Sequence, residues 1–174
     1  YVLIFDWYRG SLPEFDQQKK IYVFASHSHY DHFNKKIFGW SEQYPDVRYI
    51  LSADIAGKEQ SERTAYVTAN KKYDFDGIKV QTLHSTDEGV AFIVYMEDKV
   101  IYHAGDLNWW HWEEETESYN EQMRQDYQRE IDKLKDIVID IAFVPLDPRQ
   151  ENQYAWGMDY FMKHTHTKYV FPMH

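Results

Sequence analysis

Short runs of apolar, β-branched and aromatic residues recur along the chain and predict its β-strands. Five of these runs are apolar at nearly every position, a pattern that is typical of strands covered on both faces of a sheet. They occupy residues 1–8, 21–26, 47–52, 139–146 and 168–173.

Two longer stretches pair strand-like runs around a turn and predict β-hairpins. In residues 72–85 the turn is Asp76-Gly77, a dipeptide that favours a tight two-residue connection. In residues 90–106 the turn falls at Glu97–Lys99.

Apolar positions three and four residues apart predict one long helix within residues 113–138. Shorter helices are predicted over residues 34–43, 53–63 and 158–165. Hairpins and strand–helix units are mixed along the chain, so we expect one α/β domain over residues 1–174 with helices outside the β-sheets. Both ends fall within strand-like runs, and we expect both to be trimmed.

Charge and composition narrow the classes of function. The formal net charge is −10, which argues against a nucleic-acid partner. The chain has no cysteine, so disulfides and thiolate metal sites are excluded. We expect no membrane partner, because no apolar run approaches the roughly 18–20 residues of a bilayer span. No secretory signal is visible, and we therefore expect a cytoplasmic location.

The stretch "VFASHSHYDHFN" places His27, His29, Asp31 and His32 directly after an apolar run. Side chains two residues apart in an extended chain point the same way, so His27 and His29 can converge on one metal ion. Asp31 and His32 follow where the loop turns and can aim at a neighbouring point. Imidazole and carboxylate ligands suit zinc, iron or manganese.

Three later residues have the same chemistry and the same placement at the end of a strand-like run. His84 ends "KVQTLHS", Asp106 ends "VIYHAGD" and His174 ends "KYVFPMH". A single histidine at such a position is as often a hydrogen-bonded structural residue, but the joint pattern predicts a shared cleft at a sheet edge.

This order, H-x-H-x-D-H, a lone His, "GD" and a final His, resembles the metallo-β-lactamase-fold superfamily. "HSTDEGVAFIVYMEDKVIYHAGDLN" resembles its ascorbate-6-phosphate lactonase-like branch of small bacterial hydrolases. The resemblance implies an αββα sandwich of two mixed β-sheets with two divalent metal ions, Zn²⁺ first and Mn²⁺ or Fe²⁺ as alternatives. It also implies the ligands: His27, His29 and His84 for one ion, Asp31, His32 and His174 for the other, and Asp106 as the bridge.

Two such ions about 3.5–4 Å apart can share and activate a water for attack on an electrophilic carbonyl or phosphorus. We therefore expect a metal-dependent hydrolase of a small ester, lactone or phosphoester, with Asp31 and Asp106 as the catalytic carboxylates. The diiron oxygen- and nitric-oxide-reducing relatives typically have Glu in place of His29, which disfavours a redox role. A nuclease or phosphodiesterase of the same fold and a non-catalytic metal-binding module remain the alternatives.

Four further residues are candidates for binding a small-molecule substrate. Tyr30 lies within the motif and either donates to a developing oxyanion or packs. Trp109 and Trp110 of "LNWWHW" form either a substrate wall or ordinary packing. Arg149 of "PLDPRQ" either forks onto a carboxylate or phosphate, or pairs at the surface. The sequence leaves a homo-oligomer open.

Overall fold

The computed structural model describes residues 1–57 and 61–174 of the chain. These residues form two compact units, Tyr1–Thr68 and Ala69–His174, which we call unit 1 and unit 2. Each is described by itself, and the expectation of a single domain stays a prediction.

Unit 1 contains a four-stranded sheet in which every neighbouring pair of strands is parallel. We expected two mixed sheets, but each strand of this one returns in the same direction after a long connection. The strand order is β1-β2-β3-β4. The strands are β1 (Val2–Phe5), β2 (Ile21–Ala25), β3 (Val47–Ser52) and β4 (Thr64–Val67).

The helical segments described in unit 1 are 3₁₀-helices. One spans Lys35–Glu42, where a helix over 34–43 was predicted, and Asn34 caps it by accepting from the Lys36 amide at 3.1 Å. Of the helix predicted over 53–63, the structure has a single 3₁₀ turn at Ala53–Ile55. Residues 58–60 of that prediction lie outside the described part of the chain.

Unit 2 contains a six-stranded mixed sheet of order β10-β9-β8-β7-β6-β5. Strands β5 to β8 are antiparallel to their neighbours, whereas β8, β9 and β10 are parallel. Both predicted hairpins are confirmed, and Gly77 has a φ of 98° at the first turn. The strands are β5 (Lys72–Phe75), β6 (Ile78–His84), β7 (Val90–Met96), β8 (Lys99–His103), β9 (Val138–Pro145) and β10 (His166–Met173).

Two α-helices belong to unit 2, α1 (Glu117–Ile131) and α2 (Trp156–His164). Thr116 sets the start of α1, because its hydroxyl accepts from the Tyr119 amide at 3.2 Å. Helix α1 buries Tyr127 in the core of the unit, and the Tyr127 hydroxyl donates to the Gly157 carbonyl at 2.7 Å. Gly157 lies against Asn108, so that a Cβ there would collide with the Asn108 side-chain oxygen.

Directly after α1 a 3₁₀ turn at Asp132–Leu134 continues the helical stretch predicted within 113–138. A second 3₁₀-helix of unit 2, Pro148–Gln153 before α2, was not predicted. The two sheets with their helices confirm the mixed α/β class. Within the described residues, no helix combines the length and the apolar character needed to cross a bilayer.

Parallel strands bring their carboxyl ends to one edge of a sheet, and this positions the candidate site residues. In unit 1 Asp6 follows β1, and the motif that begins at Ser26 follows β2. In unit 2 the residues after β8, β9 and β10 include Asp106, Asp147 and His174. Each unit therefore collects ligand-type side chains at a single edge.

Candidate functional site

A carboxylate of unit 1 that the sequence did not reveal, Asp6, organises the histidine motif. Its Oδ1 accepts from the Ser26 amide at 2.7 Å, and its Oδ2 accepts from the Ser26 hydroxyl at 2.7 Å. Asp6 adopts a φ of 47°, in the left-handed region, where an aspartate is tolerated better than most residues. These bonds tie the end of β1 to the end of β2.

The same carboxylate fixes the proton positions of two histidines. His32 donates from Nδ1 to Asp6 Oδ2 at 2.8 Å. Since the Ser26 hydroxyl donates to Asp6, it accepts from Nδ1 of His27, which lies 2.9 Å away. Both imidazoles thus carry their proton on Nδ1, and Nε2 keeps the lone pair that a metal ion needs.

The structure brings together the four motif residues predicted as ligands. His27 is fully buried, and its Nε2 lies 3.0 Å from Nδ1 of His29. Asp31 Oδ2 lies 3.9 Å from Nε2 of His32. Imidazole nitrogens and a carboxylate at such spacing fit a zinc, iron or manganese ion.

Unit 2 builds a second set around Asp106, which is 5% exposed. His174 Nε2 lies 3.5 Å from Asp106 Oδ1, and its Nδ1 lies 3.1 Å from Oδ2 of Asp147. Asp147 is 2% exposed, and Nη2 of Arg149 also lies 3.4 Å from Nδ1 of His174.

Arg149 points to this buried carboxylate. Its Nε donates to Asp147 Oδ2 at 2.8 Å, and its amide donates to Oδ1 at 2.9 Å. Burial alone would raise the pKa of the Asp147 carboxyl, but the hydrogen bonds from Arg149 outweigh it and hold the pKa below the usual value. Arg149 therefore compensates a buried charge, while 66% of its side chain stays exposed.

Of His84 and Asp87, the structure places Asp87 and not His84 close to Asp106. His84 is exposed at the end of β6, and its amide donates to Glu130 Oε2 of α1 at 3.1 Å. Asp87 brings a ligand oxygen within 4.8 Å of one from Asp106, whereas His84 belongs to no such group among the described residues. Thr86 secures this loop by donating to the Asn108 carbonyl at 2.6 Å.

The two candidate tryptophans face different neighbours. Trp110 is buried, donates from Nε1 to the Asp106 carbonyl at 3.0 Å, and packs edge-on against His174 at 5.5 Å between ring centroids. Trp109 instead packs against Trp156 of α2 at 5.3 Å. Tyr30 is 86% exposed.

Sequence reasoning missed Asp6, Ser26, Asp87 and Asp147. A signal was present for three of them, since "FD", "AS" and "PLD" each stand at the end of a strand-like run. Asp87 lies in "HSTDE", three residues after His84. Their roles depend on which strand ends become neighbours, and the order of strands in a sheet cannot be read from local patterns.

No protein-family model and no curated protein sequence matches the chain. Among solved structures, it is similar to Igni18, a metallo hydrolase from the archaeon Ignicoccus hospitalis, with 15% identity and a TM-score of 0.58 over 91% of this chain and 65% of that one. It is similar to CmlA, a diiron β-hydroxylase from Streptomyces venezuelae, with 10% identity and a TM-score of 0.54 over 87% of this chain and 35% of that one.

A further similarity is to YhfI from Bacillus subtilis, a metallo-β-lactamase-fold protein, with 11% identity and a TM-score of 0.49 over 87% of this chain and 73% of that one. The chain spans less than two thirds of Igni18 and about a third of CmlA. At these identities the likeness concerns the fold. The fold of the chain is therefore the one that it shares with Igni18 and CmlA.

Proposed function

We propose that the chain is a metal-dependent hydrolase that holds two divalent ions and acts on a small ester, lactone or phosphoester. The ions would be Zn²⁺ first, with Mn²⁺ or Fe²⁺ as alternatives. Their ligands would be the residues that the sequence motif supplies: His27, His29, Asp31, His32, His84, Asp106 and His174.

The observation that carries the proposal is the shared acceptor of unit 1. Asp6 Oδ2 receives both the Ser26 hydroxyl and Nδ1 of His32, and Ser26 in turn receives Nδ1 of His27. Holding two buried imidazoles as the Nδ1 tautomer has no benefit for packing, but it is what two metal ligands require.

The arrangement in unit 2 supports the same reading from independent residues. His174 Nε2 lies 3.5 Å from Asp106 Oδ1, and His174 Nδ1 lies 3.1 Å from Oδ2 of the buried Asp147. A buried carboxylate beside a histidine ligand is usual in metal sites.

Bound divalent ions would supply Lewis acidity towards an acyl or phosphoryl oxygen and would lower the pKa of a water. The residues of the chain would hold His27 and His32 in the tautomer that leaves Nε2 for the metal. The exposed part of the Arg149 guanidinium would hold an anionic group of the substrate, and Trp109 or Trp110 would cover its apolar part.

The deciding experiment combines metal analysis with an activity screen. Protein purified without chelator is analysed for zinc, iron and manganese, then loaded with each metal and assayed on lactones, thioesters, phosphomonoesters, phosphodiesters and RNA. We expect about two ions per chain, as a two-metal site requires, and turnover of one small-molecule class.

Each other outcome selects an alternative. Turnover confined to RNA or phosphodiesters would select the nuclease. Two ions without turnover of any ester would select the non-catalytic metal module. A folded chain that cannot be loaded beyond a trace would refute the proposal altogether.

A further inference from the structure

A cleft in unit 2 lies between the segment after Asp106 and the start of α2. Its volume is about 480 Å³, and its aromatic walls are Trp109, His111 and Trp156. The rings of His111 and Trp156 meet edge to face at 5.0 Å, and those of Trp109 and Trp156 are tilted at 5.3 Å. Electron-rich ring faces of this kind attract cations.

Three of the carboxylates that line the same cleft have no cationic partner among the described residues. Glu113, Glu115 and Glu117 are exposed there, and none has an ion-pair partner among the described residues. The cation of the cleft, Arg124, is engaged by Glu121, to which its Nε donates at 2.8 Å. The start of α1 stabilises Glu117 in its first turn, but Glu113 and Glu115 precede the helix. The cleft therefore carries three negative charges that the protein leaves unpaired.

Two lining residues also bury polar atoms without a partner. Nε1 of Trp109 and Oε1 of Gln153 each expose less than 1 Å² and make no hydrogen bond within the part of the chain that the structure describes. A buried donor and a buried acceptor are both costly unless a ligand or water satisfies them. The indole needs an oxygen, and the amide oxygen needs an N–H or O–H group.

A metal ion does not meet these requirements. Within the described residues, the glutamates of the cleft do not bring three ligand oxygens within 4.8 Å of one another. An indole N–H cannot bind a cation, and aromatic walls suit a ligand with a carbon skeleton.

We infer that this cleft binds a small organic ammonium compound that carries hydroxyl groups close to the charged nitrogen, the chemistry of an amino sugar. The ammonium group pairs with the glutamates and lies against the ring faces. Trp109 and Gln153 are half-buried residues, and a small rotation of each side chain lets a hydroxyl oxygen accept from Trp109 Nε1 and an ammonium or hydroxyl group donate to Gln153 Oε1. The site is separate from the proposed metal ligands, and the inference does not depend on the proposed function.

Nuclear magnetic resonance reads the site directly through the indole N–H signals of the six tryptophans. The signal of Trp109 is assigned as the one that Trp109→Phe removes. The labelled chain is titrated with glucosamine, with glucose as the neutral analogue, and with sodium chloride at matched ionic strength. We expect the signals of Trp109 and Trp156 to shift saturably with glucosamine and to stay in place with glucose and sodium chloride.

A charge variant tests the role of the carboxylates. Glu113→Gln, Glu115→Gln and Glu117→Gln together should weaken glucosamine binding about tenfold, because each exposed ion pair contributes about twofold. The matched control removes three exposed acids elsewhere in unit 2, with Glu97→Gln, Asp98→Asn and Asp136→Asn, and should bind as the parent does.

The inference is overturned if glucosamine leaves the Trp109 signal unmoved, or if glucose shifts it equally. Equal affinity of the two charge variants would likewise overturn it, since all six acids are exposed and both variants should fold. The parent protein should also bind glucosamine at physiological ionic strength. If binding is seen only at lower ionic strength, the attraction is non-specific and the inference is overturned.

Discussion

At the scale of single residues, Asp6 determines the tautomers of two histidines of the motif, although it lies 20 positions before Ser26 in the sequence. One carboxylate accepts from the Ser26 amide, the Ser26 hydroxyl and Nδ1 of His32, and through Ser26 it also orders His27. Each histidine alone could adopt either tautomer. With Asp6 in place, both present Nε2 in the form that binds metal.

Asp6→Asn should weaken metal binding, because an amide nitrogen in place of Oδ2 cannot accept from His32 or Ser26. Losing such a supporting acceptor lowers metal affinity by roughly 10- to 100-fold. A competition titration of zinc against a chelator measures this. Asp16→Asn is the matched control, since Asp16 is exposed and accepts from the Gln18 amide at 2.9 Å.

If Asp6→Asn folds and binds zinc as tightly as the parent, while Asp16→Asn does the same, the tautomer argument is wrong. The histidines would then be oriented by packing alone.

The histidines were predictable from sequence and Asp6 was not. His27, His29 and His32 have side chains whose chemistry is specific enough to be recognised from their spacing. Asp6 acquires its role from a residue 20 positions away, Ser26, and that contact exists only once β1 and β2 are neighbours.

At the scale of elements, Asp140 on β9 connects three strands. Its Oδ2 accepts from the Val100 amide of β8 at 2.9 Å, and its Oδ1 accepts from Lys168 Nζ of β10 at 2.6 Å. The Lys168 ammonium, aided by the Val100 amide, holds the pKa of the Asp140 carboxyl below its usual 3.8. A lowered pKa means that the charged form stabilises the fold.

Asp140→Asn should therefore lower Tm at pH 7, and the difference from the parent should narrow as the pH falls below 3.8. The contribution of the carboxylate is complete above pH 3.8 and is lost as the pH falls through the lower folded value. Thermal melts of both proteins from pH 7 down to pH 3 measure it. A Tm difference that stays constant over that range would mean that the charge is not what connects the strands.

Helix α1 supports β6 through a buried acid. Glu130 is 3% exposed and accepts from the His84 amide, while its Oε1 accepts from Lys133 Nζ at 2.6 Å. Glu130→Ala should cost about 1–3 kcal/mol of unfolding free energy, because the partner of a part-buried amide is removed.

Hydrogen exchange locates this effect. The His84 amide should exchange faster in Glu130→Ala, whereas Gln122→Ala, an exposed position on the same helix, should leave it unchanged. Unchanged protection of His84 in Glu130→Ala would show that the β6 ladder, and not the helix, holds this strand end.

Strands and the long helix were the predictable elements. Apolar runs predicted nine of the ten strands found within residues 1–57 and 61–174. Helix α1 lies inside the stretch predicted for it, and Thr116 supplies its cap. Strand β4 is four residues long and only its last residue, Val67, is buried, so its sequence carries little signal. The segment at Lys35–Glu42 had the composition of a helix, but composition does not distinguish 3₁₀ from α geometry.

At the scale of the whole molecule, metal binding should stabilise the folded chain by mass action. Zinc at roughly 100 times its Kd should add about 2.7 kcal/mol to the unfolding free energy. Chelator should reverse the gain. Denaturant melts with and without zinc measure this, and Asp106→Ala should gain less than the parent, whereas Asp98→Asn should gain as much. Equal gains in Asp106→Ala and the parent would exclude Asp106 as a ligand.

Helix α2 contains a position at which the fold restricts the amino acid that can be present. Gly157 of α2 faces Asn108, the Trp109 amide lies 3.2 Å from where its Cβ would stand, and its carbonyl accepts from Tyr127. In a library of all twenty residues at this position, selected for folded chains, glycine alone should survive, while exposed Met162 on the same helix should accept most substitutions. Position 157 therefore tolerates no side chain in this fold. A homologue that lacks glycine there must have a different conformation of the loop at Asn108.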